Sequence, residues 1–132
     1  MDFSFNNLNT TFNFSSLTGL VNIQNIHMAA CFVRSSLPDD ISVLQSLVTL
    51  DLDSNLFLSG TIPSSLGEIP TLEKLLLASN ELAGTIPSEL AQLENLTILE
   101  LQLNSLSGTI PTEFETLTNL QNFNYSGNSI SD

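Results

Sequence analysis

Basic residues are almost missing from this chain of 132: Lys and Arg number two against 14 Asp and Glu, for a formal net charge of -12. Nucleic acid and anionic membrane surfaces are excluded as partners on that ground. Both are bound by clustered Lys and Arg, and Arg34 and Lys74 cannot make a cluster. Cysteine is nearly missing too. Cys31 stands alone, so no disulfide can close within the chain and stability must come from packing. There is no tryptophan and a single histidine, His27, which any Ser-His-Asp or Cys-His arrangement would have to use. No apolar run approaches the roughly 18 residues needed to cross a bilayer, so no membrane insertion by this chain is expected. Met1-Asp2-Phe3-Ser4-Phe5 shows neither the basic start nor the apolar stretch of a secretory signal. With 12% charged residues and 42% hydrophobic ones, the acidity reflects missing bases rather than a disordered composition. A single folded domain over residues 1–132 is expected.

What the sequence does have is an internal repeat. Leu72, Leu75, Leu77, Asn80, Leu82, Gly84, Thr85, Ile86 and Pro87 recur 24 residues later as Leu96, Leu99, Leu101, Asn104, Leu106, Gly108, Thr109, Ile110 and Pro111. Leu47, Leu50, Leu52, Asn55, Gly60, Thr61, Ile62 and Pro63 show the same pattern with one extra residue. Ile23, Ile26, Met28 and Cys31 precede them, and Leu120, Phe123, Tyr125 and Asn128 come after the last full unit. The units run 23–46, 47–71, 72–95, 96–119 and a partial 120–132. Residues 1–22 read as atypical, with Leu17 and Leu20 fitting but Phe3, Phe5, Phe12 and Phe14 out of register.

The spacing dictates geometry. In Leu75-Leu76-Leu77 the outer pair points to one side of a short strand and the middle residue to the other. Each unit donates one strand, and stacked units form a parallel sheet at about 4.8 Å per strand over a continuous leucine core. Asn55, Asn80, Asn104 and Asn128 sit where the chain leaves the strand. There an amide can donate and accept at once, which makes a ladder. Cys31 takes the ladder position in its unit as a small buried substitute. Gly60, Gly84 and Gly108 suit a tight turn, and Pro63, Pro87 and Pro111 suit an edge strand or a helix start. The residues after each Pro give one helical or 3₁₀ turn. The extra residue in Asn55-Leu56-Phe57-Leu58-Ser59-Gly60 requires a bulge, with Leu56 or Leu58 replacing the core leucine and Phe57 free to protrude.

A period of 24 with L-x-x-L-x-L-x-x-N-x-L resembles the leucine-rich repeat family. The Gly-Thr-Ile-Pro segment narrows the resemblance to its plant type, found in receptor-like proteins, receptor kinases and polygalacturonase inhibitors. It implies a right-handed α/β solenoid of the L domain-like kind, with the parallel sheet on its concave face and helical or 3₁₀ turns on its convex face. It also implies that partners, protein or peptide, contact the concave face, and that the chain belongs at the cell surface or outside the cell as part of a longer parent. The cysteine-paired caps usual in this type are not seen. A fragment of a longer array is therefore expected, whose uncapped terminal repeats could stack end to end.

In register, the middle concave column is His27, Asp51, Leu76, Glu100 and Asn124. One flank is Asn25, Thr49, Lys74, Ile98 and Asn122, and the other is Ala29, Asp53, Ala78, Gln102 and Ser126. These positions are expected to be free of the fold and available for recognition. Leu76 and Ile98 are apolar where a scaffold asks only for solubility, with Asp51, Asp53, Lys74, Glu100 and Gln102 around them and Asn122 and Asn124 beyond. Asp51, Asp53 and Glu100 offer oxygens to a hard cation, but two strand spacings, about 9.6 Å, separate Glu100 from the pair, so neither metal nor cofactor is expected. His27 and Cys31 point to different places, which leaves no catalytic set and predicts a non-enzyme. Four N-x-S/T sequons begin at Asn9, Asn13, Asn95 and Asn124. Asn95, in a turn between units, is the best N-glycosylation candidate, whereas a sugar on Asn124 would block the concave face. The function expected is a recognition module of a receptor-like protein. The alternative is an inhibitor of cell-wall-degrading glycosidases, whose acidic face would oppose a basic enzyme. A structural or ice-binding array is disfavoured because the columns are uneven.

Overall fold

The computed structural model describes residues 1–6, 14–17 and 19–131. Asn9 and Asn13 lie outside the described residues. Among the described residues ten short strands alternate around a coil: β1 (Asn25–His27), β2 (Arg34–Ser36), β3 (Thr49–Asp51), β4 (Phe57–Thr61), β5 (Lys74–Leu76), β6 (Glu81–Gly84), β7 (Ile98–Glu100), β8 (Ser105–Thr109), β9 (Asn122–Asn124) and β10 (Ser129–Ser131). The odd strands form one parallel sheet, β1-β3-β5-β7-β9, and the even strands a second, β10-β8-β6-β4-β2. The helical turns Asp39–Val43, Ser64–Glu68, Ser88–Gln92 and Thr112–Thr116 are all 3₁₀.

The second sheet adds to the sequence reading, which gave Gly60, Gly84 and Gly108 to tight turns and Pro63, Pro87 and Pro111 to an edge strand or a helix start. In β4, β6 and β8 a glycine with positive φ, Gly60, Gly84 or Gly108, lies at or next to the end of the strand. An added Cβ on Gly84 would lie 3.2 Å from Thr61 Cγ2, so the glycine also admits the threonine methyl of the coil before it. Pro63, Pro87 and Pro111 then open the 3₁₀ turns in extended conformation.

Leucine columns fill the interior. Leu47, Leu72 and Leu96, then Leu50, Leu75 and Leu99, then Leu52, Leu77 and Leu101 are all fully buried. Their coalescence is what a single coil cannot achieve, since no one coil has a second hydrophobic face to cover its own. The bulge resolves in favour of Leu58, fully buried, while Leu56 is 56% exposed. Phe57 does not protrude as a knob. It lies half-buried on β4 opposite Arg34 of β2, whose guanidinium stands 3.7 Å over the ring.

The asparagines form the ladder. Asn55 Oδ1 accepts from the Cys31 and Val33 N–H groups at 3.0 and 3.1 Å, and its Nδ2 donates to Met28 and Leu52 carbonyls at 2.8 and 2.9 Å. Asn80 receives the Asn55 N–H at 2.9 Å and donates to Leu52 and Leu77. Asn104 and Asn128 repeat the arrangement. Cys31, fully buried, performs the donor half: its thiol donates to the Phe3 carbonyl at 2.8 Å, the counterpart of Met28 for Asn55.

That bond exposes a rung that the repeat pattern conceals. The Phe3 and Phe5 N–H groups bond His27 and Ala29 carbonyls at 2.7 and 2.9 Å, just as Met28 and Ala30 bond Asp51 and Asp53. Phe3 therefore stands where Met28 stands, and Asn6 where Cys31 stands. Asn6 Nδ2 donates to Phe3 O at 2.8 Å, as Asn80 does to Leu77 at 2.9 Å. Phe5, Ala30, Ser54, Ser79, Leu103 and Gly127 share the left-handed position before each rung, with φ from 53° to 72°. Phe3 and Phe5 are thus in register, contrary to the expectation that residues 1–22 begin out of it.

Candidate functional site on the concave sheet

Strand register sets three rows, of which the first and last are two of the expected concave columns: Asn25, Thr49, Lys74, Ile98 and Asn122; then Ile26, Leu50, Leu75, Leu99 and Phe123; then His27, Asp51, Leu76, Glu100 and Asn124. The middle row is the buried one, and the outer rows present side chains away from the core because strand residues alternate. Leu76 and Ile98, on adjacent strands, are half-buried with no further layer over them, and Lys74 beside them is exposed. Asp51 and Glu100 flank Leu76 on either side.

Several of the columns' residues are claimed by the fold, which corrects the expectation that all are free. Thr49 is 7% exposed and Ala78 5%. Asp53 lies just beyond β3, and its Oδ1 accepts the Ala78 N–H at 2.7 Å, bracing one coil against the next. Burial pushes its carboxyl up to about 6; the Ala78 N–H works the other way, and Asp51 and Glu100 add to the rise. Asp51 takes the Asp53 N–H at 3.3 Å on one oxygen and holds the other 3.4 Å from His27 Nδ1. Asn124 accepts from the Ser126 N–H and hydroxyl at 3.1 and 2.8 Å, closing a local turn.

Glu100 is held by two neighbouring amide side chains. Gln102 Nε2 reaches its Oε2 at 3.3 Å and Asn122 Nδ2 its Oε1 at 3.1 Å, so two neighbouring coils hold one carboxylate in place. Gln102 Oε1 is buried and has no hydrogen-bond partner. It is an acceptor open to a donor, a feature that needs atomic positions to be seen. Among the described residues no three His, Cys, Asp or Glu side chains come together as metal ligands would. His27 faces Asp51 while Cys31 is sealed beneath Phe3, so the two never meet. A groove of about 860 Å³ runs along Thr61, Pro63, Thr85, Pro87, Thr109 and Pro111, away from this face. It is open, and its ionisable groups, Asp39, Glu89 and Glu113, all carry the same charge and come from different coils, so the sheet face remains the better site. Asn95 lies outside the patch, exposed in the turn before β7, with Nδ2 donating to Pro70 O at 2.8 Å.

The sequence pattern of the Leucine Rich Repeat family matches residues 46–69, 71–93 and 95–117. No curated protein sequence matches the chain significantly. Among solved structures, the ectodomain of the plant membrane receptor kinase GASSHO1/SCHENGEN3 from Arabidopsis thaliana, in complex with Casparian strip integrity factor 2, superposes with a TM-score of 0.80 at 33% identity, over 86% of this chain and 14% of that one. The Arabidopsis receptor kinase HAESA ectodomain, in complex with an N-terminally extended IDA peptide hormone ligand, gives 0.80 at 34%, over 87% and 19%. The BIR2 ectodomain from Arabidopsis thaliana gives 0.74 at 39%, over 79% and 54%. The chain thus spans between about a seventh and about half of the length of these relatives. Repeat pattern, asparagine ladder, paired parallel sheets and these likenesses agree: the chain belongs to the leucine-rich repeat family, as a repeat array of the plant receptor-like type.

Proposed function

We propose that this chain is a non-catalytic recognition module of a receptor-like protein acting at the cell surface or outside the cell, and that it binds a peptide or protein segment on its concave sheet. The observation that carries this reading is the half-buried pair Leu76 and Ile98 on adjacent strands, Leu76 between Asp51 and Glu100 and Ile98 between Lys74 and Asn122. The core does not require apolar residues there, since Asp51 and Glu100 occupy the same row as Leu76. The HAESA ectodomain in complex with a peptide hormone, and the GASSHO1/SCHENGEN3 ectodomain in complex with its factor, support the class of partner. Charge supports its chemistry: two carboxylates, Asp51 and Glu100, against one lysine favour a segment that carries Arg or Lys beside an apolar side chain.

Peptides selected from a displayed library against the full chain provide the test. Affinity measured calorimetrically for the selected peptides should fall at least tenfold in the Leu76→Asp, Ile98→Asp double variant, since desolvated apolar contacts at an interface centre are worth about 2 kcal/mol each. Unchanged affinity in a variant that still folds would exclude the patch.

A further inference from the structure

The edge of the concave sheet where its strands begin carries a second side-chain ladder, outside the core. Thr71, Asn95 and Asn119 hold equivalent places in successive coils, each reaching back one coil: Thr71 Oγ1 to Leu47 O at 2.7 Å, Asn95 Nδ2 to Pro70 O at 2.8 Å and Asn119 Nδ2 to Glu94 O at 2.8 Å. All three residues are exposed. Asn95 and Asn119 are therefore matched in environment and bonding, each is followed by a leucine, and they differ in the second residue that follows. Asn95 precedes Leu96-Thr97 and Asn119 precedes Leu120-Gln121, so the first begins an N-x-T sequon and the second does not.

We propose that Asn95 is an N-glycan acceptor, modified while the chain is still unfolded, and that its sugar leaves the concave face open. The donor is a lipid-pyrophosphate-linked oligosaccharide. The Asn95 Nδ2–C1 bond forms as the sugar's C1–O bond to pyrophosphate breaks, one amide proton passes to the transferase's base, and the lipid pyrophosphate departs. One N–H remains on Nδ2, enough to keep the bond to Pro70 O. Timing comes from burial. Leu96, the middle of the sequon, is fully buried and its N–H bonds Leu93 O at 2.9 Å, while the Thr97 hydroxyl donates to Glu73 O at 3.0 Å. A transferase that must take all three residues in extended form cannot lift Leu96 out of a folded core. Direction comes from position: Asn95 lies in the turn ahead of β7, at the rim, whereas Asn124 projects from β9 in the row of Leu76 and Glu100.

The inference rests on the extracellular reading above, but its test does not. The full chain, carried into microsomes by a fused signal peptide, is digested and each sequon's occupancy read by mass spectrometry. Asn95 is expected to be occupied in the wild type and empty in Asn95→Gln and in Thr97→Ala. Gln121→Thr, which supplies the missing sequon, should add one glycan at Asn119. Folded chain presented to the same transferase and donor should stay unmodified. An empty Asn95 overturns the assignment, a Gln121→Thr chain that gains nothing overturns its geometric basis, and modification of folded chain overturns the timing. Where the natural protein resides is settled separately by fractionation, so a non-secreted protein would count against the extracellular reading alone.

Discussion

Asn55→Ala offers the sharpest test of how the array holds together. Asn55 is fully buried, and its amide satisfies two N–H groups, of Cys31 and Val33, and two carbonyls, of Met28 and Leu52, all within 3.1 Å. A methyl group satisfies none. Each orphaned buried group costs about 1–3 kcal/mol, so the four together imply about 4 kcal/mol at the low end, where water enters the vacated space and recovers part of the loss. Against a total stability of about 5–15 kcal/mol, that is about a quarter or more of what holds the fold. The measurement is urea denaturation tracked by far-UV circular dichroism. Asn95→Ala serves as the control, since an exposed amide with a single bond should change stability by no more than about 0.5 kcal/mol. Asn55→Asp should be nearly as harmful as Asn55→Ala at neutral pH, because a carboxylate oxygen would then face the Met28 and Leu52 carbonyls. Repeat arrays can open in sections, so hydrogen exchange at the Cys31 and Val33 amides supplies a local readout that should accelerate in both variants. A loss below about 1.5 kcal/mol in Asn55→Ala, with exchange unchanged at those two amides, would refute the ladder as a principal source of stability.

Two further perturbations test the same geometry. Asp53 titrates near 6 in the folded chain against an ordinary 3.8, so its contribution to stability is fully present below 3.8 and is lost as pH rises through 6. Asp53→Asn should remove that slope and stabilise the chain above pH 6 by about 1 kcal/mol, a figure discounted for a group that is only half buried; thermal melts at pH 4, 5, 6 and 7 would show it, and parallel slopes would contradict it. Gly67→Ala places a Cβ against the backbone carbonyl of Glu89 in the adjoining 3₁₀ turn and should cost about 1–3 kcal/mol by denaturant titration. A neutral result would mean that the two turns are free to separate.

Much of the scaffold was legible because its chemistry repeats. Leu75 and Leu77 inward with Leu76 outward, and an asparagine three residues after the second leucine, are consequences of strand alternation and of the need to satisfy turn amides. Where the pattern's residues are replaced, legibility fails. Asn6 completes the ladder at its first rung, yet Met1 and Phe3 stand in for leucines and conceal the register. The second sheet was hidden for a different reason: the Gly and Thr that close its strands have the composition of a turn, and only the adjacent coils reveal that their backbone pairs. Asp53 was misread because a sequence column shows which way a side chain points but not which neighbouring N–H it meets. The choice of Leu58 over Leu56 depends on where the bulge absorbs its extra residue, a packing outcome that spacing alone leaves open.

The claims of the fold on Thr49, Asp53 and Ala78 reduce the recognition surface to a few side chains, and this bears on how specificity can arise in so acidic a molecule. Glu68, Glu89, Glu94, Glu113 and Glu115 are all exposed, beside or within the convex turns, so the negative field is spread over the protein and attracts any cation. Such attraction speeds encounter without selecting among partners, and it should weaken uniformly with salt. Selection requires a place where charge and apolar desolvation coincide. On the concave sheet that place is Leu76 and Ile98 beside Glu100, whose carboxylate is already oriented by Gln102 and Asn122 and so loses little freedom on binding. Added salt should therefore lower association rates for good and poor peptides alike, whereas substitution at Leu76 should act on the dissociation of good ones.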